Sequence, residues 1–364
     1  RDAAGAAALA ASLREAQCPD DAWQALAAAL RLAPADPVVL ATAALIRHDL
    51  GDFDGALAWC DKSLAVRPDS PGTRVTRGYL RHLLGDASGG WSDFESRPLP
   101  SPESGAQPWR GESLDGKSIL LLGEQGLGDE FQFLRFSHHS AVQAADRVIV
   151  ACHADAVSLL RASGYNAVPR GEMVFTDYFA PLLSLPVILD VGSTWRGAGE
   201  TYVRMPDTRV RDRTRVKRVG IVWAGNPAHR NDAVRSIPSG LLHGLLHTHP
   251  DIRFVCLQHG VNGTDVPSGI VENPPSGDWL HTARQLSKLD LLISVDTGIA
   301  HLAGALGMPV WLLVSHVPDW RWGTRGSSTP WYARMRLFRQ PSRGDWARVL
   351  TNVSAALSGA KVGD

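Results

Sequence analysis

The chain has 364 residues, and its 37 basic residues balance its 37 acidic residues, so the formal net charge is zero. This balance gives no support for a nucleic-acid partner, and no apolar run approaches the roughly 18 residues that cross a bilayer, which argues against stable membrane insertion. The four cysteines form no CxxC pair, which favours a reducing compartment, so we expect a cytoplasmic protein. Because residue 1 is Arg rather than Met, we expect a trimmed or truncated product, from which further repeats or a targeting segment could be missing.

The first part of the chain repeats with a period of 34 residues. Pro34 recurs as Pro68, and the Leu-Gly-Asp run at residues 50–52 recurs at residues 84–86, in a region rich in alanine and leucine. This period resembles that of the tetratricopeptide repeat, in which each unit is a pair of helices. We therefore predict a tetratricopeptide-repeat-like helical domain over residues 1–97.

Two features are expected to join this region to the rest of the chain. Trp91 and Phe94 end the repeats and are interpreted as an aromatic cap that docks on the next domain. Residues 98–116 are rich in proline, serine and glycine, which is typical of a linker. Within this linker, Trp109 is expected to anchor the chain to the domain behind it.

Strand-like and helix-like segments alternate from residue 117 onward, which predicts two consecutive Rossmann-like halves with a cleft between them. We assign residues 117–210 to the N-terminal half and residues 211–364 to the C-terminal half. In the first half we expect a helix within residues 130–144 and a strand near Val187. The predicted fold class is α/β, preceded by an all-α helical region. The main strands of the second half are expected at residues 219–224, 252–257, 291–295 and 309–314.

The most informative motif is an apolar run at residues 291–295 that leads into Asp296, Thr297 and Gly298 and then into a helix of small residues. A helix that starts at such a turn has unpaired backbone N–H groups and roughly half a positive charge at its N-terminus. These features suit a phosphate or diphosphate group. His301, one turn further on, is either a donor beside that phosphate or a packed helix histidine.

A similar turn follows the first predicted strand of the N-terminal half. Gly126 and Gly128 allow a tight turn and a close approach of the backbone to a ligand. Asp129 would then lie near the start of a helix, where its carboxylate could accept the proton of an attacking hydroxyl group. Asp is also a preferred capping residue, so the alternative is a purely structural role at the helix start.

The loop after the first strand of the C-terminal half is rich in polar residues. It contains Asn226 and Arg235, and an arginine here could neutralise the phosphate that leaves when a sugar is transferred. Gln258 follows the next strand on the same side, where its amide could read a base or a ribose or could equally have a plain loop role. An ordinary solvated loop is the alternative, but the neighbouring Asp-Thr-Gly turn favours a ligand site.

A third candidate segment is the aromatic loop that contains Trp320 and Arg321. A planar ring beside an arginine can stack on a sugar or a base, or it can pack into a core that locks the C-terminal segment. No metal site is expected, because the pair His243 and His247 lacks both the glutamate of an HExxH motif and a third ligand.

These motifs occur in an order that resembles the bacterial tetratricopeptide-repeat glycosyltransferases of the GT-B fold, which are related in their motifs to the heptosyltransferases. The resemblance covers nearly the whole chain and implies a GT-B pair of Rossmann-like domains after the helical region. The matching runs are Gly123-Glu-Gln-Gly-Leu-Gly-Asp129, Val219-Gly-Ile-Val-Trp-Ala-Gly-Asn226, Arg235-Ser-Ile-Pro238, Asp296-Thr-Gly, His301-Leu-Ala-Gly-Ala-Leu-Gly-Met-Pro-Val-Trp311 and Pro318-Asp-Trp-Arg-Trp322.

The resemblance implies an inverting, metal-independent transfer of a sugar, of hexosyl, heptosyl or nonulosonyl type, from a nucleotide-sugar donor to a hydroxyl group. The aspartate of the Gly-Asp turn in heptosyltransferases acts as the base, and this role carries over to Asp129. Their Asp-Thr-Gly helix start holds the donor diphosphate, which carries over to Asp296, Thr297 and Gly298. Arg235 stands nearest to the position of the family's lysine. The nucleotide sugar is a co-substrate, and no cofactor or metal is expected because neither Rossmann-like half has a DxD motif.

The helical repeats suggest the acceptor. Flagellin-modifying enzymes and O-linked N-acetylglucosamine transferases use such repeats to hold proteins, so the resemblance implies transfer to Ser or Thr hydroxyls of a protein acceptor such as flagellin. One alternative is a glycolipid or lipopolysaccharide acceptor, as in true heptosyltransferases. Another is a non-catalytic, peptide-binding repeat protein.

Overall fold

The computed structural model describes residues 2–191, 201–205, 218–229, 231–260, 266–271 and 278–359. The described residues form two compact units. We call residues 2–99 together with residues 316–325 the helical unit, and the remaining described residues the α/β unit. Most of residues 194–217 lies outside the described residues, as does Arg230.

The helical unit consists of paired helices that pack against their neighbours in sequence. A short 3-10 turn, Trp320–Trp322, belongs to the same unit. The helices are α1 (Ala3–Glu15), α2 (Pro19–Leu32), α3 (Pro37–Asp49), α4 (Phe53–Val66), α5 (Pro71–Leu84) and α6 (Ala87–Phe94).

The repeated Leu-Gly-Asp run has a clear physical role at two helix-helix turns. Gly51 and Gly85 adopt left-handed backbone conformations, with φ of 81° and 95°, that end α3 and α5. The aspartate that follows each glycine then caps the next helix: Asp52 accepts the Gly55 N–H at 2.9 Å, and Asp86 makes the equivalent bond at the start of α6. One tripeptide thus stops one helix and starts another.

The aromatic residues at the end of the repeats pack inside the helical unit. Trp91 and Phe94 are buried, and the Trp320 ring packs against them and α5. Its centroid lies 4.7 Å from that of His82 and 5.5 Å from that of Trp91. Burial lowers the pKa of His82 to about 3, so this imidazole is neutral. The predicted cap therefore packs on a segment from the C-terminal half of the chain.

The first sheet of the α/β unit is wholly parallel, in the order β1-β5-β2-β3-β4. Trp109 lies directly after β1 and is buried, as predicted; its backbone N–H donates to the Phe179 carbonyl at 2.8 Å. The elements of this half are β1 (Gln107–Pro108), β2 (Ser118–Leu122), α7 (Leu127–Phe133), α8 (Ser140–Gln143), β3 (Arg147–Cys152), α9 (Val157–Ala162), β4 (Ala167–Pro169), β5 (Tyr178–Pro181) and α10 (Leu185–Ile188).

The second sheet is also parallel and has the strand order β11-β10-β9-β6-β7-β8. Counted from β6, this is the doubly wound order 3-2-1-4-5-6, whose direction reverses between β6 and β9. Its elements are β6 (Arg218–Val222), α11 (Asp232–Arg235), α12 (Leu242–Thr248), β7 (Arg253–Cys256), β8 (Ile270–Val271), α13 (Trp279–Leu286), β9 (Leu291–Val295), α14 (Gly298–Ala305), β10 (Val310–Val314), β11 (Met335–Arg339) and α15 (Trp346–Gly359).

The predicted fold class, paired Rossmann-like α/β sheets after an all-α region, is confirmed, but several local predictions are wrong. Val187 lies in the short helix α10 rather than in a strand, because Pro186, the second residue of that helix, favours a helix start. The segment 130–144 contains helical residues, as expected, namely the end of α7 and all of α8, with an extended His139 before α8. The linker contains an unpredicted strand, β1, and β11 was not predicted at all.

An ion pair between the buried Glu130 and the partly exposed Arg170 shapes the turn between β2 and α7. Glu130 is almost fully buried and accepts the His153 N–H at 3.0 Å and the Arg170 Nε–H at 2.6 Å. Arg170 also donates to the carbonyl of Gln125, whose φ is 55°. The arginine therefore holds a left-handed, strained backbone position in this turn. Burial raises the pKa of Glu130, although Arg170 and the His153 N–H act in the opposite direction.

We expect Trp320→Ala to lower the free energy of unfolding of the helical unit by about 3 kcal/mol, because it removes a large buried ring from the cluster on α5 and α6. Chemical denaturation followed by circular dichroism measures this loss. Phe175→Ala is the control, because this side chain is 72% exposed and its loss should change little. Equal stabilities of the two variants would contradict the packing described for Trp320.

We expect Arg170→Met to lower the free energy of unfolding by about 2 kcal/mol at pH 7, because Glu130 would remain buried without its cation. The pKa of Glu130 is already raised in the folded state, so ionisation of this carboxyl opposes folding as the pH rises through that pKa. The defect should therefore be smaller at pH 5 than at pH 7, because a larger fraction of the orphaned carboxyl is protonated at the lower pH. Denaturation at both pH values tests this. Arg147→Met, which loses only a bond to the exposed Phe175 carbonyl, is the control.

Candidate functional site at the starts of α7 and α14

The starts of two helices, α7 of the first sheet and α14 of the second, lie against each other in the α/β unit. A Cβ atom added to Gly128 would be 2.8 Å from His301 Cδ2 and 3.6 Å from the Cα of Gly298. A Cβ atom added to Gly298 would be 3.6 Å from the Gly128 nitrogen. A Cβ atom at Gly128 would overlap the His301 ring, so this position requires glycine, whereas the atoms around Gly298 lie at or just inside ordinary contact distance. We call this place the helix-start junction.

Each sheet contributes its topological switch point to this junction. In doubly wound sheets, ligands bind outside the carboxyl ends of the strands where the strand order reverses. In the first sheet that point is between β2 and β5, and α7 follows β2. In the second sheet it is between β6 and β9, and α14 follows β9. The sequence-predicted turns at residues 126–129 and 296–298 are therefore brought together.

Asp129 is the third residue of α7, and its carboxylate is half-buried. Its Oδ2 accepts the backbone N–H of Gly126 at 2.9 Å, so the residue caps its own helix. The structural alternative considered for Asp129 is thus realised. The bond also fixes the carboxylate beside the junction.

The start of α14 has the form expected of an anion site. Thr297 is the extended N-cap residue, but its side chain does not cap the helix; its Oγ1 lies 3.1 Å from the Oγ of Ser294 instead. The first amides of the helix, those of Gly298 and Ile299, have no acceptor within the helix. Asp296 adds a carboxylate, and its Oδ1 lies 3.6 Å from His301 Nε2.

His301 is buried within the junction. Its Nδ1 lies 2.8 Å from the hydroxyl oxygen of Tyr332, and its Nε2 faces Asp296 and the backbone of Gly128. The histidine is therefore both packed and in reach of the helix starts. Tyr332, which the sequence analysis did not single out, contacts His301 directly.

Arg235 reaches back from α11 to the end of β6. Its Nε lies 3.3 Å from Asp232 Oδ1, and a Cβ atom at Gly225 would be 2.5 Å from the same Nε. The guanidinium group thus lies over the glycine that follows β6 at the switch point. Asn226, the next residue, is exposed, and its side chain accepts the Ala228 N–H at 3.0 Å.

Gln258 joins the ends of β6 and β7 through its side-chain amide. Its Oε1 accepts the N–H groups of Trp223 and Ala224 at 3.1 and 2.9 Å, and its Nε2 donates to the Ala224 carbonyl at 3.0 Å. The residue is buried. These bonds fit the plain loop role, in which the amide holds the loop that carries Arg235.

Trp320 and Arg321 belong to the helical unit, apart from the other predicted site residues, which lie in the α/β unit. The guanidinium carbon of Arg321 lies 4.4 Å from the centre of the Trp320 ring, and its Nη1 donates to Asp319 Oδ1 at 2.9 Å. Trp320 packs on α5 and α6 as described above. This arrangement corresponds to the packing alternative that was considered for the aromatic loop.

Further aromatic residues near the junction were missed in the sequence. Trp279 starts α13, and its Cη2 would lie 3.3 Å from a Cβ atom at Gly298. Its ring stacks on that of His259, with centroids 5.4 Å apart. Arg135 is buried and donates to the Trp331 carbonyl at 2.6 Å and to the Tyr202 hydroxyl at 2.8 Å. No spacing rule relates these residues, because their partners are distant in sequence.

The described part of the chain has neither a candidate metal cluster nor a candidate membrane-spanning helix. Within residues 2–359, gaps excepted, no group of three or more His, Cys, Asp or Glu side chains could hold a metal ion. No helix among the described residues has the length and the apolar character needed to cross a bilayer.

Comparison with known proteins gives one curated relative and several solved structures. No protein-family model matches the sequence. Protein FlbA of Caulobacter vibrioides is 25% identical over 381 residues, and the match covers 90% of this chain. This chain spans 62% of the length of FlbA.

The similar solved structures include two glycosyltransferases. TibC from enterotoxigenic E. coli H10407, described as an iron-containing dodecameric glycosyltransferase, is 14% identical, with a TM-score of 0.46, over 65% of this chain and 66% of TibC. Another structure of TibC is described as a heptosyltransferase in complex with ADP-D-beta-D-heptose. The O-GlcNAc transferase of Thermobaculum terrenum is 12% identical, with a TM-score of 0.30, over 98% of this chain and 90% of that protein.

Proposed function

We propose that this chain is an inverting, metal-independent glycosyltransferase that moves a sugar from a nucleotide-sugar donor to a Ser or Thr hydroxyl of a protein. The observation that carries the proposal is the helix-start junction. The contact between Gly128 and Gly298 puts Asp129 on one helix start and the unpaired amides of α14 on the other. A base and an anion site in one place are what a sugar transfer requires.

The donor phosphate binds at the start of α14 in this proposal. The amides of Gly298 and Ile299 donate to its oxygens, and the helix dipole adds partial positive charge. Arg235, at the end of β6, supplies a full positive charge at the same switch point. These groups stabilise the negative charge that develops on the departing nucleotide without a metal ion.

The transfer is a single in-line displacement. The acceptor oxygen attacks the anomeric carbon from the face opposite the phosphate, and the bond from that carbon to the phosphate oxygen breaks with its electron pair. Asp129 takes the proton of the attacking hydroxyl. Because the nucleophile enters opposite the leaving group, the configuration at the anomeric carbon inverts.

The helical unit is proposed to hold the protein acceptor. Paired helices that repeat in register present equivalent side chains along one surface. Leu32 and Val66 are 34 positions apart, end the second helix of successive pairs, and are 53% and 50% exposed. Exposed apolar side chains at equivalent positions suit an extended polypeptide segment that crosses both pairs.

We expect Asp129→Asn to lower kcat about 100-fold or more, because it removes the base, while nucleotide binding is retained. The amide oxygen can still accept the Gly126 N–H, so the melting temperature should hardly change. Calorimetry against UDP, GDP, ADP, CMP and dTDP first identifies the nucleotide, since a ligand at 100 times its Kd stabilises the fold by about 2.7 kcal/mol. Asp115→Asn is the control. Full transfer activity in Asp129→Asn would show that the base is another group, and binding of no nucleotide would favour a non-catalytic repeat protein.

We expect Leu32→Ser combined with Val66→Ser to raise the KM for a protein acceptor about tenfold, with the Kd for the donor nucleotide unchanged. Both side chains are exposed, so stability should be retained. Transfer to purified flagellin measures the effect. Leu241→Ser, which removes an exposed apolar side chain from the α/β unit, is the control. Transfer to lipopolysaccharide that is unaffected by the double substitution would favour the glycolipid alternative.

A further inference from the structure

Tyr332 and His301 form a buried polar pair next to the helix-start junction. The tyrosine hydroxyl lies 2.8 Å from His301 Nδ1, and both side chains are almost fully buried. We propose that Tyr332 is a positioning residue that fixes His301 as the Nε2–H tautomer, so that this histidine donates a hydrogen bond to the departing phosphate. The inference rests on the proposed sugar transfer and adds a residue to it.

The ring of Tyr332 is held in place by its neighbours. A Cβ atom at Gly304 of α14 would lie 2.4 Å from Tyr332 Cδ1, so only glycine at that position admits the ring. The guanidinium carbon of Arg135 lies 4.7 Å from the centre of the ring. Arg135 is itself fixed by the Gln132, Trp331 and Tyr202 oxygens. The Tyr332 hydroxyl oxygen that contacts His301 Nδ1 is therefore held in one position.

The charges on the two sides of His301 favour the same tautomer. A cation next to a phenol ring makes its O–H a better donor and a poorer acceptor, so Tyr332 donates and Nδ1 accepts. On the opposite side of the ring, the Asp296 carboxylate lies 3.6 Å from Nε2 and favours a proton on that atom. A neutral imidazole with its proton on Nε2 satisfies both neighbours.

The Nε2 proton then points to where the proposed reaction releases charge. Nε2 would lie 3.5 Å from a Cβ atom at Gly128, so it is beside the close contact between α7 and α14. A phosphate oxygen at the start of α14 can accept this proton as its negative charge grows. The opposite tautomer would present a lone pair there and repel the leaving group.

The test compares Tyr332→Phe with the wild type by nitrogen-15 NMR of the histidine rings. The chain has 13 histidines, so a His301→Asn spectrum assigns the signal. We expect the Nε2–H pattern in the wild type and a mixture of tautomers in Tyr332→Phe, which keeps the ring and removes only the hydroxyl. The Kd for the nucleotide found by calorimetry should rise about fivefold, and kcat should fall about tenfold.

Tyr165→Phe is the matched control, because the Tyr165 hydroxyl also bonds a histidine, His138, at 2.7 Å. It should leave both the His301 signal and the nucleotide Kd unchanged. An Nδ1–H pattern in the wild type, or an unchanged pattern in Tyr332→Phe, would overturn the inference without touching the proposed function. The expected NMR change in a protein that binds no nucleotide would support the tautomer but overturn the hydrogen bond to phosphate.

Discussion

The close contact of two helix starts through Gly128 and Gly298 is the constraint on which the rest of the α/β unit depends. Each helix follows a strand at the switch point of its own sheet, so the switch points of the two sheets lie at the same contact. A Cβ atom at Gly128 would overlap the His301 ring, and a Cβ atom at Gly298 would make a tight contact with Trp279. The junction therefore depends most on the absence of a side chain at position 128.

Buried polar groups fix the loops on both sides of this contact. Glu130 and Arg170 hold the turn before α7, and the amide of Gln258 ties the ends of β6 and β7. Each group satisfies backbone donors or acceptors that a loop would otherwise leave unpaired within the protein. Rigid loops keep charged groups at set distances, which a reaction with developing charge requires.

The local features of the fold could be predicted from the sequence. The Leu-Gly-Asp repeat, the apolar strands and the Asp-Thr-Gly turn act through neighbouring residues, so their spacing carries the information. The sequence also pointed to the turns that contain Gly128 and Gly298. The contact between these turns is a tertiary contact, and only the topology of the two sheets explains it.

The supporting residues could not be predicted, because their partners are far away in sequence. Arg170 lies 40 positions from Glu130, and Tyr332 lies 31 positions from His301. Gln258 follows a strand, as a ligand-binding residue would, but the direction of its amide depends on β6. Trp320 was expected either at a ligand or in a core, and its packing on α5 and α6 could be read only from coordinates.

The membership of residues 316–325 in the helical unit affects how the chain can be divided. These residues lie between β10 and β11, two adjacent strands of the second sheet, yet they complete an array whose other members precede residue 100. A truncation that starts after α6 would remove the rings of His82 and Trp91 that cover the indole of Trp320. Such a fragment would tend to aggregate. Its lack of transfer activity would then result from insolubility rather than from the loss of acceptor recognition.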